Sequence, residues 1–535
     1  MSMDTGGANH KRTAFWLFCG FFCFYFLGLG GHIYTPDGTV MFHVTRNLVM
    51  HGRSDIPELG SWPDFGGARQ TDAETGRRLF YSKYGVGLSL CAIPAFIAGK
   101  ALAPLVGERE KELFSNADMR THYELAGEFG TATPTGRLWY EAEKENFDVA
   151  FEAFSVTWTM PLLVAGIVAA LFLTCTGLGY PTRASLGLAV MAGVASPLWH
   201  YSKEFFSEPL SGFGLAWFFF LAVAEAKRPE PGLGWLLCGG ALGTLLVAKV
   251  ANAVILLPCL LLSIMYMYRY SIRGMGRGML LVIAGAAVGA GIVCAYNVLR
   301  FGSVWSTGYG DEVNWWTTPF WEGVAGLLFS PGRGALIYCP LLFLALAGFP
   351  AFARRFPRES VFIGGVFAAH LLLYATWHVW EGGWCWGPRF LVPALPISLI
   401  PVVTLFERPP AGRFSRLAIL LVLALSLVVA FNGVIVSYND YYKWIDILCR
   451  AGGAGSTRFD VEKSFALMRW SWEHSPLLRY WGFPVKDYFV LPRAIAHPGL
   501  VLALLGAALL GLIGSCWRLG RELASSDLPG VQRTS

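Results

Sequence analysis

The sequence predicts an all-α polytopic membrane protein with about 12 to 13 transmembrane helices. Of its 535 residues, 54% are hydrophobic and only 15% are charged, and the mean hydropathy is +0.48. Soluble domains carry roughly 25% charged residues. Apolar runs of roughly 17 to 25 residues recur along the whole chain, and each is long enough to cross a bilayer. The net charge of +6 fits Lys and Arg in cytoplasmic loops and requires no nucleic-acid partner.

Thirteen apolar segments are candidates for these helices. They lie at about 14–31, 85–105, 151–175, 184–200, 208–226, 233–248, 250–267, 278–298, 334–352, 360–377, 390–405, 417–437 and 498–517. Short loops rich in Lys and Arg mark the cytoplasmic side of a membrane. From residue 176 onward these basic loops alternate correctly with the others, which predicts that both termini are cytoplasmic.

The segment 85–105 is the exception to this alternation, because a full crossing there would place the later loops on the wrong side. It contains three Gly and two Pro, so we expect a re-entrant or surface-lying helix that leaves about 12 spans. The loop 107–150 would then be outside, which suits its ten acidic residues against five Lys and Arg.

The first outer loop, 32–84, carries a carboxylate close to the membrane surface. Thr35 and Pro36 read as the N-cap and first position of a helix, with Asp37 in its first turn. Apolar residues recur at helical spacing opposite polar ones, which is typical of a helix lying on the bilayer. The apolar positions are Val40, Met41, Val44 and Leu48, and the polar positions are His43, Arg46, Asn47 and His51.

Other polar residues collect at the same predicted outer face, where an ionised group is costly unless it is paired or functional. Four of them, Lys83, Lys249, Arg333 and Arg389, are cations near the bilayer edge. A phosphate on a lipid carrier lies at that depth, and cations would hold it and stabilise its charge as it leaves. Aromatic residues at this face, Tyr34 and Trp384 among them, suit a sugar ring but also fit an interfacial aromatic belt.

Five local strings, taken in order, resemble the GT-C superfamily of membrane glycosyltransferases, specifically the protein O-mannosyltransferase and aminoarabinose-transferase type. They are Tyr34-Thr-Pro-Asp37-Gly38, Phe80-Tyr-Ser-Lys83-Tyr-Gly-Val-Gly, Tyr201-Ser-Lys-Glu-Phe-Phe-Ser-Glu208-Pro209, Leu328-Phe-Ser-Pro-Gly-Arg333-Gly and Trp384-Cys-Trp-Gly-Pro-Arg389-Phe390. The resemblance covers residues 30 to 400. We divide the chain into a catalytic membrane region (1–437), an aromatic-rich outer segment (438–497), and a last transmembrane helix with a cytoplasmic tail (498–535).

The resemblance implies an inverting glycosyltransferase in the plasma (inner) membrane, with its site on the outer face. Its expected partners are a polyprenyl-phosphate sugar as donor and a lipid, glycan or protein hydroxyl as acceptor. Asp37 is expected to be the general base. The family's acidic pair is absent, since Gly38 follows Asp37, so Glu208 is the candidate second acid.

The other expected site residues fall into two groups. Lys83, Lys249 and Arg389, with Arg333 as a weaker candidate, are expected to contact the donor phosphate. The candidates for sugar or acceptor contacts are Tyr34, His200, Lys203, Glu204, His378, Glu381 and Trp384. No cofactor is required, although Asp37, Glu204 and Glu208 could hold a divalent metal.

Three alternatives stay open at the level of sequence. A transporter or flippase for lipid-linked sugars would also bury polar groups in a helix bundle, but it usually places them near the midplane within an internal repeat. Transfer of an oligosaccharide is a second possibility. A non-catalytic membrane scaffold is the third, for which the sequence offers no positive feature. A disulfide between Cys385 and Cys449 is a separate open point.

Overall fold

The structure is a computed structural model that describes residues 5–57, 67–71, 78–115, 147–435, 438–451, 461–482 and 490–526. These residues are mainly α-helical, and their one sheet is an antiparallel hairpin of β1 (Gly67–Thr71) and β2 (Arg78–Ser82) in which Gly67 pairs with Ser82. The prediction of a polytopic helical membrane protein is confirmed.

The helices are numbered along the chain. They are α1 (Thr5–Leu27), α2 (Pro36–His51), α3 (Gly87–Leu102), α4 (Glu108–Ser115), α5 (Phe147–Thr157), α6 (Thr159–Gly177), α7 (Thr182–Val194), α8 (Leu198–Tyr201), α9 (Ser207–Glu225), α10 (Gly234–Ala248), α11 (Leu256–Met267), α12 (Ile272–Phe301), α13 (Phe320–Phe329), α14 (Ala335–Tyr338), α15 (Leu341–Arg355), α16 (Pro357–Ala375), α17 (Leu395–Ser398), α18 (Val403–Glu407), α19 (Arg413–Ile435), α20 (Tyr438–Ala451), α21 (Val461–Trp470), α22 (Pro476–Arg479), α23 (Val490–Ala496) and α24 (Leu500–Ser526).

Seven helical stretches among the described residues are long and apolar enough to cross a membrane. They are Gly87–Leu105, Phe147–Gly177, Ser207–Glu225, Val250–Met267, Ile272–Phe301, Arg413–Ile435 and Leu500–Ala524. Shorter apolar helices, such as α7 and α10, pack among them. Length and composition therefore establish a multi-pass protein, while the count of about 12 crossings stays a prediction.

The core is a bundle in which α1 packs on α6 and α24, and α10 packs between α9 and α12. The contact of α10 with α12 is made by glycines. A Cβ on Gly289 would lie 2.4 Å from Gly243 Cα, and a Cβ on Gly239 would lie 2.1 Å from the Val282 carbonyl oxygen. The two backbones touch, as small residues four apart allow in membrane helices.

Helix α3 lies along one end of this bundle. Gly87, at its start, lies against Val247 near the end of α10. Ala103, just beyond its end, packs in one cluster with Leu29, which follows α1. Because α1 and α10 both end on the side where Asp37 lies, both ends of α3 are on that side, which we call the site end.

The contacts of α3 therefore agree with the surface-lying alternative of the sequence prediction, although its length and composition would also suit a crossing. The helix is continuous from Gly87 to Leu102, and whether the segment enters the membrane stays untested.

Helix α2 differs from the expected amphipathic helix with a water-facing polar side. Its apolar residues Val40, Met41 and Val44 are buried as predicted, but His43 and Asn47 on the polar side are buried as well. Asn47 donates from Nδ2 to the Asp55 carbonyl oxygen at 3.0 Å. The prediction of a water-facing side is therefore wrong for His43 and Asn47, which neighbouring elements cover, whereas His51 at the end of α2 is exposed.

Three other predictions concern the outer segments, the domain boundaries and a disulfide. Most of the predicted outer loop 107–150 and part of the segment 438–497 lie outside the described residues. The domain boundaries stay predictions. Cys385 and Cys449 are buried, and Cys385 is a free thiol, so the disulfide between them is not formed.

Candidate functional site

The carboxylate of Asp37 is fixed by the first turn of α2. Thr35 has the extended backbone of an N-cap residue, and its hydroxyl oxygen accepts from the Gly38 N–H at 3.0 Å. Pro36 occupies the first helical position, where its missing N–H has no cost. The positive end of the helix dipole favours an anion in the first turn by about 0.3 to 1 kcal/mol. The Asp37 side chain is 25% exposed, so it can meet a ligand.

A chain of ion pairs at the site end connects Asp37 through Arg389 to Glu208 on α9, and from there to Lys249. Arg389 donates from Nη2 to Asp37 Oδ2 at 2.8 Å and from Nε to Glu208 Oε1 at 3.0 Å. Lys249 Nζ lies 3.5 Å from the same oxygen of Glu208. The Glu208 side chain is only 2% exposed. One buried carboxylate thus holds two cations beside the base.

Arg389 is positioned by a glycine-rich loop. Gly382, Gly383 and Gly387 have φ values of +84°, +66° and +68°, which other L-residues rarely adopt. This backbone turns the Gly382 carbonyl oxygen to within 3.3 Å of Arg389 Nη1. The guanidinium therefore has two carboxylates and one carbonyl as partners, and its orientation is fixed.

Tyr84 holds the other oxygen of the Asp37 carboxylate. Its hydroxyl donates to Asp37 Oδ1 at 2.7 Å. Burial alone would raise the pKa of Asp37, but Arg389 and the hydrogen bonds from Tyr84 and Arg389 outweigh it, and Lys83 adds to them. The pKa of Asp37 therefore lies below its usual value, and the carboxylate is charged at neutral pH.

Asp37 lines a cavity of about 780 Å³, a size typical of small-molecule sites. The charged residues among its described lining are four cations and two carboxylates, an excess of two positive charges. They are Lys83, Lys249, Arg300 and Arg389, with Asp37 and Glu312. Apolar residues of the bundle helices and several tryptophans complete the wall. The cavity thus suits an anionic ligand that also has an apolar part.

The four cations differ in how far their charge is compensated. Lys83 Nζ lies 2.7 Å and 2.8 Å from the two carboxylate oxygens of Glu312. Arg300 donates to the Ser82 carbonyl oxygen and, at 2.7 Å, to Asn297 Oδ1. It pairs with no carboxylate among the side chains that the structure describes. Arg300 is therefore the lining cation with the least compensation.

The predicted site residues divide into two sets. Asp37, Lys83, Lys249, Arg389, His378 and Trp384 all line the cavity. Glu208 lies behind it and holds Arg389 and Lys249. The remaining predicted residues lie outside the lining, namely Tyr34, His200, Lys203, Glu204, Arg333 and Glu381.

Arg333 is 1% exposed, and its guanidinium forms hydrogen bonds inside the protein. It donates to the carbonyl oxygens of Glu381 and Gly383 at 3.0 Å each, and to the Tyr442 hydroxyl. Its donors hold the glycine-rich loop, so the structure lends no support to a contact with a donor phosphate, and that contact stays a prediction. Glu381 accepts from Arg469 at 2.6 Å and is equally buried.

A second buried cluster lies where α8 and the turn before α9 meet the end of α19 and the start of α20. His200 Nδ1 lies 2.6 Å from the Gly433 carbonyl oxygen, and Lys203 Nζ donates to the Val434 carbonyl oxygen at 2.8 Å. The Tyr438 hydroxyl donates to Glu204 at 3.2 Å. These residues join chain segments, so the structure lends no support to a sugar contact, and that contact stays a prediction. Tyr34 belongs to the same packed region and is fully buried.

The suggested metal ligands are not brought together. Asp37 and Glu208 share Arg389, whereas Glu204 faces Tyr438. Over the described ranges, no group of three or more His, Cys, Asp or Glu side chains has the geometry to hold an ion. Whether the reaction needs a metal ion is therefore not tested by the structure.

Several lining residues were not assigned to the site from the sequence, among them Tyr84, Arg300, Tyr309 and Glu312. Tyr84 lies next to Lys83 in a string that the family resemblance had singled out, so adjacency could have indicated it. Glu312 lies 229 positions from Lys83, and no local pattern connects two residues so far apart.

Comparison with known proteins adds a likeness in overall shape. No protein-family model matches the chain, and no curated protein matches its sequence. Among solved structures, the chain is similar to the crystal structure of ArnT from Cupriavidus metallidurans bound to undecaprenyl phosphate. The match has a TM-score of 0.43 and 14% sequence identity, and it covers 100% of this chain and 84% of the ArnT chain.

Proposed function

We propose that the protein is a membrane glycosyltransferase that moves a sugar from a polyprenyl-phosphate carrier to an acceptor hydroxyl. The observation that carries this proposal is the Asp37 carboxylate. It lies in a cavity lined by four cations and two carboxylates, with Glu208 behind two of the cations, and Tyr84 and Arg389 fix its two oxygens. An oriented base beside an anion site is the minimum that transfer from a sugar phosphate requires.

The cations of the cavity supply the contacts for the donor phosphate. Lys249 is favoured, since it lines the cavity and its side chain is 19% exposed. Arg300 also lines the cavity, but it is buried and donates to Ser82 and Asn297. Lys249 also lies 5.0 Å and 4.6 Å from the ring centroids of Tyr374 and Phe390. Cations in such a partly dry site stabilise a leaving phosphate more strongly than cations in water do.

The wall beside these cations suits the carrier lipid. Leu246 on α10, Val250 and Ala251 after it, and Val293 on α12 all line the cavity. These residues belong to apolar helices, two of which are long enough to span a membrane. An isoprenoid chain attached to the phosphate could therefore continue along apolar surface, where its burial is favourable.

The chemistry then needs one proton transfer. The acceptor hydroxyl attacks the anomeric carbon, its proton passes to Asp37, and the bond from that carbon to the phosphate oxygen breaks with its electron pair going to the phosphate. Attack opposite the leaving group inverts the anomeric centre. The lowered pKa of Asp37 keeps the base charged but makes it weak, so its position must supply much of the rate enhancement.

Glu208 and Arg389 are assigned a supporting part in this scheme. Glu208 is buried behind the cavity and shares its Oε1 between Arg389 and Lys249. It therefore orients the cations, and Arg389 in turn orients Asp37. No second carboxylic acid has to contact the substrate.

A lipid-linked sugar transporter or flippase is the alternative. The described cavity lies at one end of the bundle, beside the ends of α1 and α10. Transporters usually bind their substrate near the membrane midplane. The position of the cavity therefore favours an enzyme.

The test is a screen of purified protein in detergent or liposomes with radiolabelled polyprenyl-phosphate pentoses and hexoses. We expect at least one donor to release free polyprenyl phosphate and to transfer its sugar to an added acceptor. Movement of intact lipid-linked sugar across liposomes, with the glycosidic bond preserved, would instead establish the transporter.

A further inference from the structure

Four side chains form an aromatic cluster in one part of the cavity lining: Trp315, Trp316, Trp377 and His378. The ring centroids of Trp315 and His378, of Trp316 and Trp377, and of Trp377 and His378 are each 4.8 Å apart. The interplanar angles are 85°, 61° and 65°, respectively. Edge-to-face packing of this kind leaves ring faces uncovered, whereas parallel stacking would hide them. Trp315 and Trp316 are 43% and 41% exposed.

Hydrogen bonds between two loops hold the cluster in place. The His378 N–H donates to the Trp315 carbonyl oxygen at 3.0 Å. The Thr318 hydroxyl donates to the Trp377 carbonyl oxygen at 2.8 Å, and Trp316 Nε1 donates to the Val313 carbonyl oxygen at 2.9 Å. The rings are therefore organised before any ligand arrives, which reduces the entropy lost on binding.

The cluster differs from the tryptophans that would only mark the membrane interface. Trp321, on α13, is 76% exposed and lies outside the cavity lining. Such a residue is typical of an interfacial belt. Trp316 and Trp377 instead share the cavity with Asp37, so a ligand on their rings would be in the same enclosure as the base.

The cluster is also uncharged at neutral pH. Burial lowers the pKa of His378, and Lys83 and Arg469 act in the same direction, while Glu312 opposes them. The nearest lining cation, Lys83, is paired with Glu312, so their charges largely offset each other beside the cluster. The cluster therefore suits a neutral ring with an apolar face and polar edges.

We propose that the aromatic cluster is the acceptor subsite and that it binds a neutral sugar ring, so that the acceptor is a glycan whose hydroxyl faces Asp37. This assignment rests on the proposed transferase function. It places the phosphate among the cations and the acceptor ring on Trp316 and Trp377. A peptide acceptor with a Ser or Thr hydroxyl is the competing class.

The test compares Trp316→Ala and Trp377→Ala with Trp321→Ala, using the full-length protein. Turnover is measured with the polyprenyl-phosphate sugar found in the donor screen and with short neutral oligosaccharides as acceptors. We expect each of the first two variants to raise the KM for the oligosaccharide about tenfold, equivalent to about 1.4 kcal/mol. The KM for the donor and the kcat should change less than about twofold. Trp316→Phe should recover most of the affinity, because it restores a ring face.

A second measurement, the quenching of tryptophan fluorescence by the same oligosaccharides, needs no turnover. Loss of quenching in Trp316→Ala but not in Trp321→Ala would support the subsite. Three results would overturn it: equal KM values in all three alanine variants, transfer to Ser and Thr peptides but not to oligosaccharides, or no quenching in the wild type. A protein that transfers sugar but gives one of these results retains the proposed function and loses only this subsite.

Discussion

At the scale of single residues, the two oxygens of the Asp37 carboxylate accept hydrogen bonds from different donors. Arg389 is charged and contacts Oδ2, whereas Tyr84 is neutral and contacts Oδ1. A carboxylate oxygen has room for a second hydrogen bond. The neutral Tyr84 hydroxyl competes less strongly for a carboxylate oxygen than the charged Arg389 does. We therefore assign the acceptor proton to Oδ1, the oxygen that Tyr84 contacts.

Tyr84→Phe should move the acidic limb of the kcat/KM profile to higher pH. The Tyr84 hydroxyl lowers the pKa of Asp37 by donating to its charged form. Without that bond the pKa rises toward the usual value, so Asp37 is protonated at a pH where it was charged before. The measurement is a pH–rate profile of wild type and variant. An unchanged acidic limb would mean that Asp37 is not the group that titrates in it.

The Asp37–Arg389 pair should also contribute to stability in a pH-dependent way. A carboxyl group whose pKa is lowered by folding stabilises the protein above its unfolded-state pKa, and this contribution is lost as the pH falls through the folded-state value. Thermal unfolding of wild type and Asp37→Asn should therefore differ most near neutral pH and converge in acid. A difference that grows on acidification would contradict the lowered pKa.

Lys249→Ala should weaken donor binding by about 1.5 to 3 kcal/mol, or roughly 10- to 100-fold, the usual worth of a charged hydrogen bond. Lys100→Ala is the matched control, since the Lys100 side chain is 47% exposed and pairs with Glu152 at 3.3 Å, away from the cavity lining. Binding of a polyprenyl-phosphate sugar would be measured by calorimetry. Wild-type affinity in Lys249→Ala would remove this lysine from the phosphate site.

At the scale of elements, the site is assembled by close backbone contacts as much as by side chains. The segment that carries Lys83 and Tyr84 continues into Gly85, which lies directly on the end of α10. A Cβ at Gly85 would lie 2.5 Å from the Val247 carbonyl oxygen and 2.6 Å from that of Ala248. Lys249 follows immediately, so this contact sets the distance between the base and one of the cations.

Gly85→Ala should therefore impair both stability and catalysis. The added methyl group meets backbone atoms that cannot move aside, and overpacking of this kind costs about 1 to 3 kcal/mol. We expect lower thermal stability together with a lower kcat, because Tyr84 is displaced from Asp37. Gly107→Ala serves as the control, since a Cβ there meets nothing within 4 Å. Equal stability and activity in both variants would show that this contact does not position the site.

At the scale of the whole molecule, composition and periodicity were sufficient for the fold class, and local strings singled out Asp37, Lys83 and Arg389, which the structure brings to one cavity. These patterns could not show which residues pair with one another. Arg389 meets Asp37 across 352 positions, and Lys83 meets Glu312 across 229. Only the packed bundle creates these pairs. The packing of the bundle also explains why Arg333, which looks like a phosphate ligand in the sequence, instead holds the glycine-rich loop in the structure.

The predicted orientation of the bundle is a second claim at this scale. In a cysteine-free background, Glu108→Cys at the site end should react with a membrane-impermeant maleimide in intact cells. Ala411→Cys, in a loop predicted to be cytoplasmic, should react only after permeabilisation. Both positions are exposed. The reverse pattern would place the cavity on the cytoplasmic side and exclude an outer-face reaction.

The central claim is that Asp37 removes the proton from the acceptor, and Asp37→Asn tests it most directly. Turnover and donor affinity would be measured side by side for wild type, for Asp37→Asn and for the control Asp55→Asn, whose side chain lies outside the cavity lining. We expect turnover to fall by about 10²- to 10⁴-fold, the usual contribution of general base catalysis. Donor affinity should stay the same or increase, because Arg389 loses an anionic partner. Unchanged turnover in Asp37→Asn, with the protein folded and the donor bound, would contradict the account.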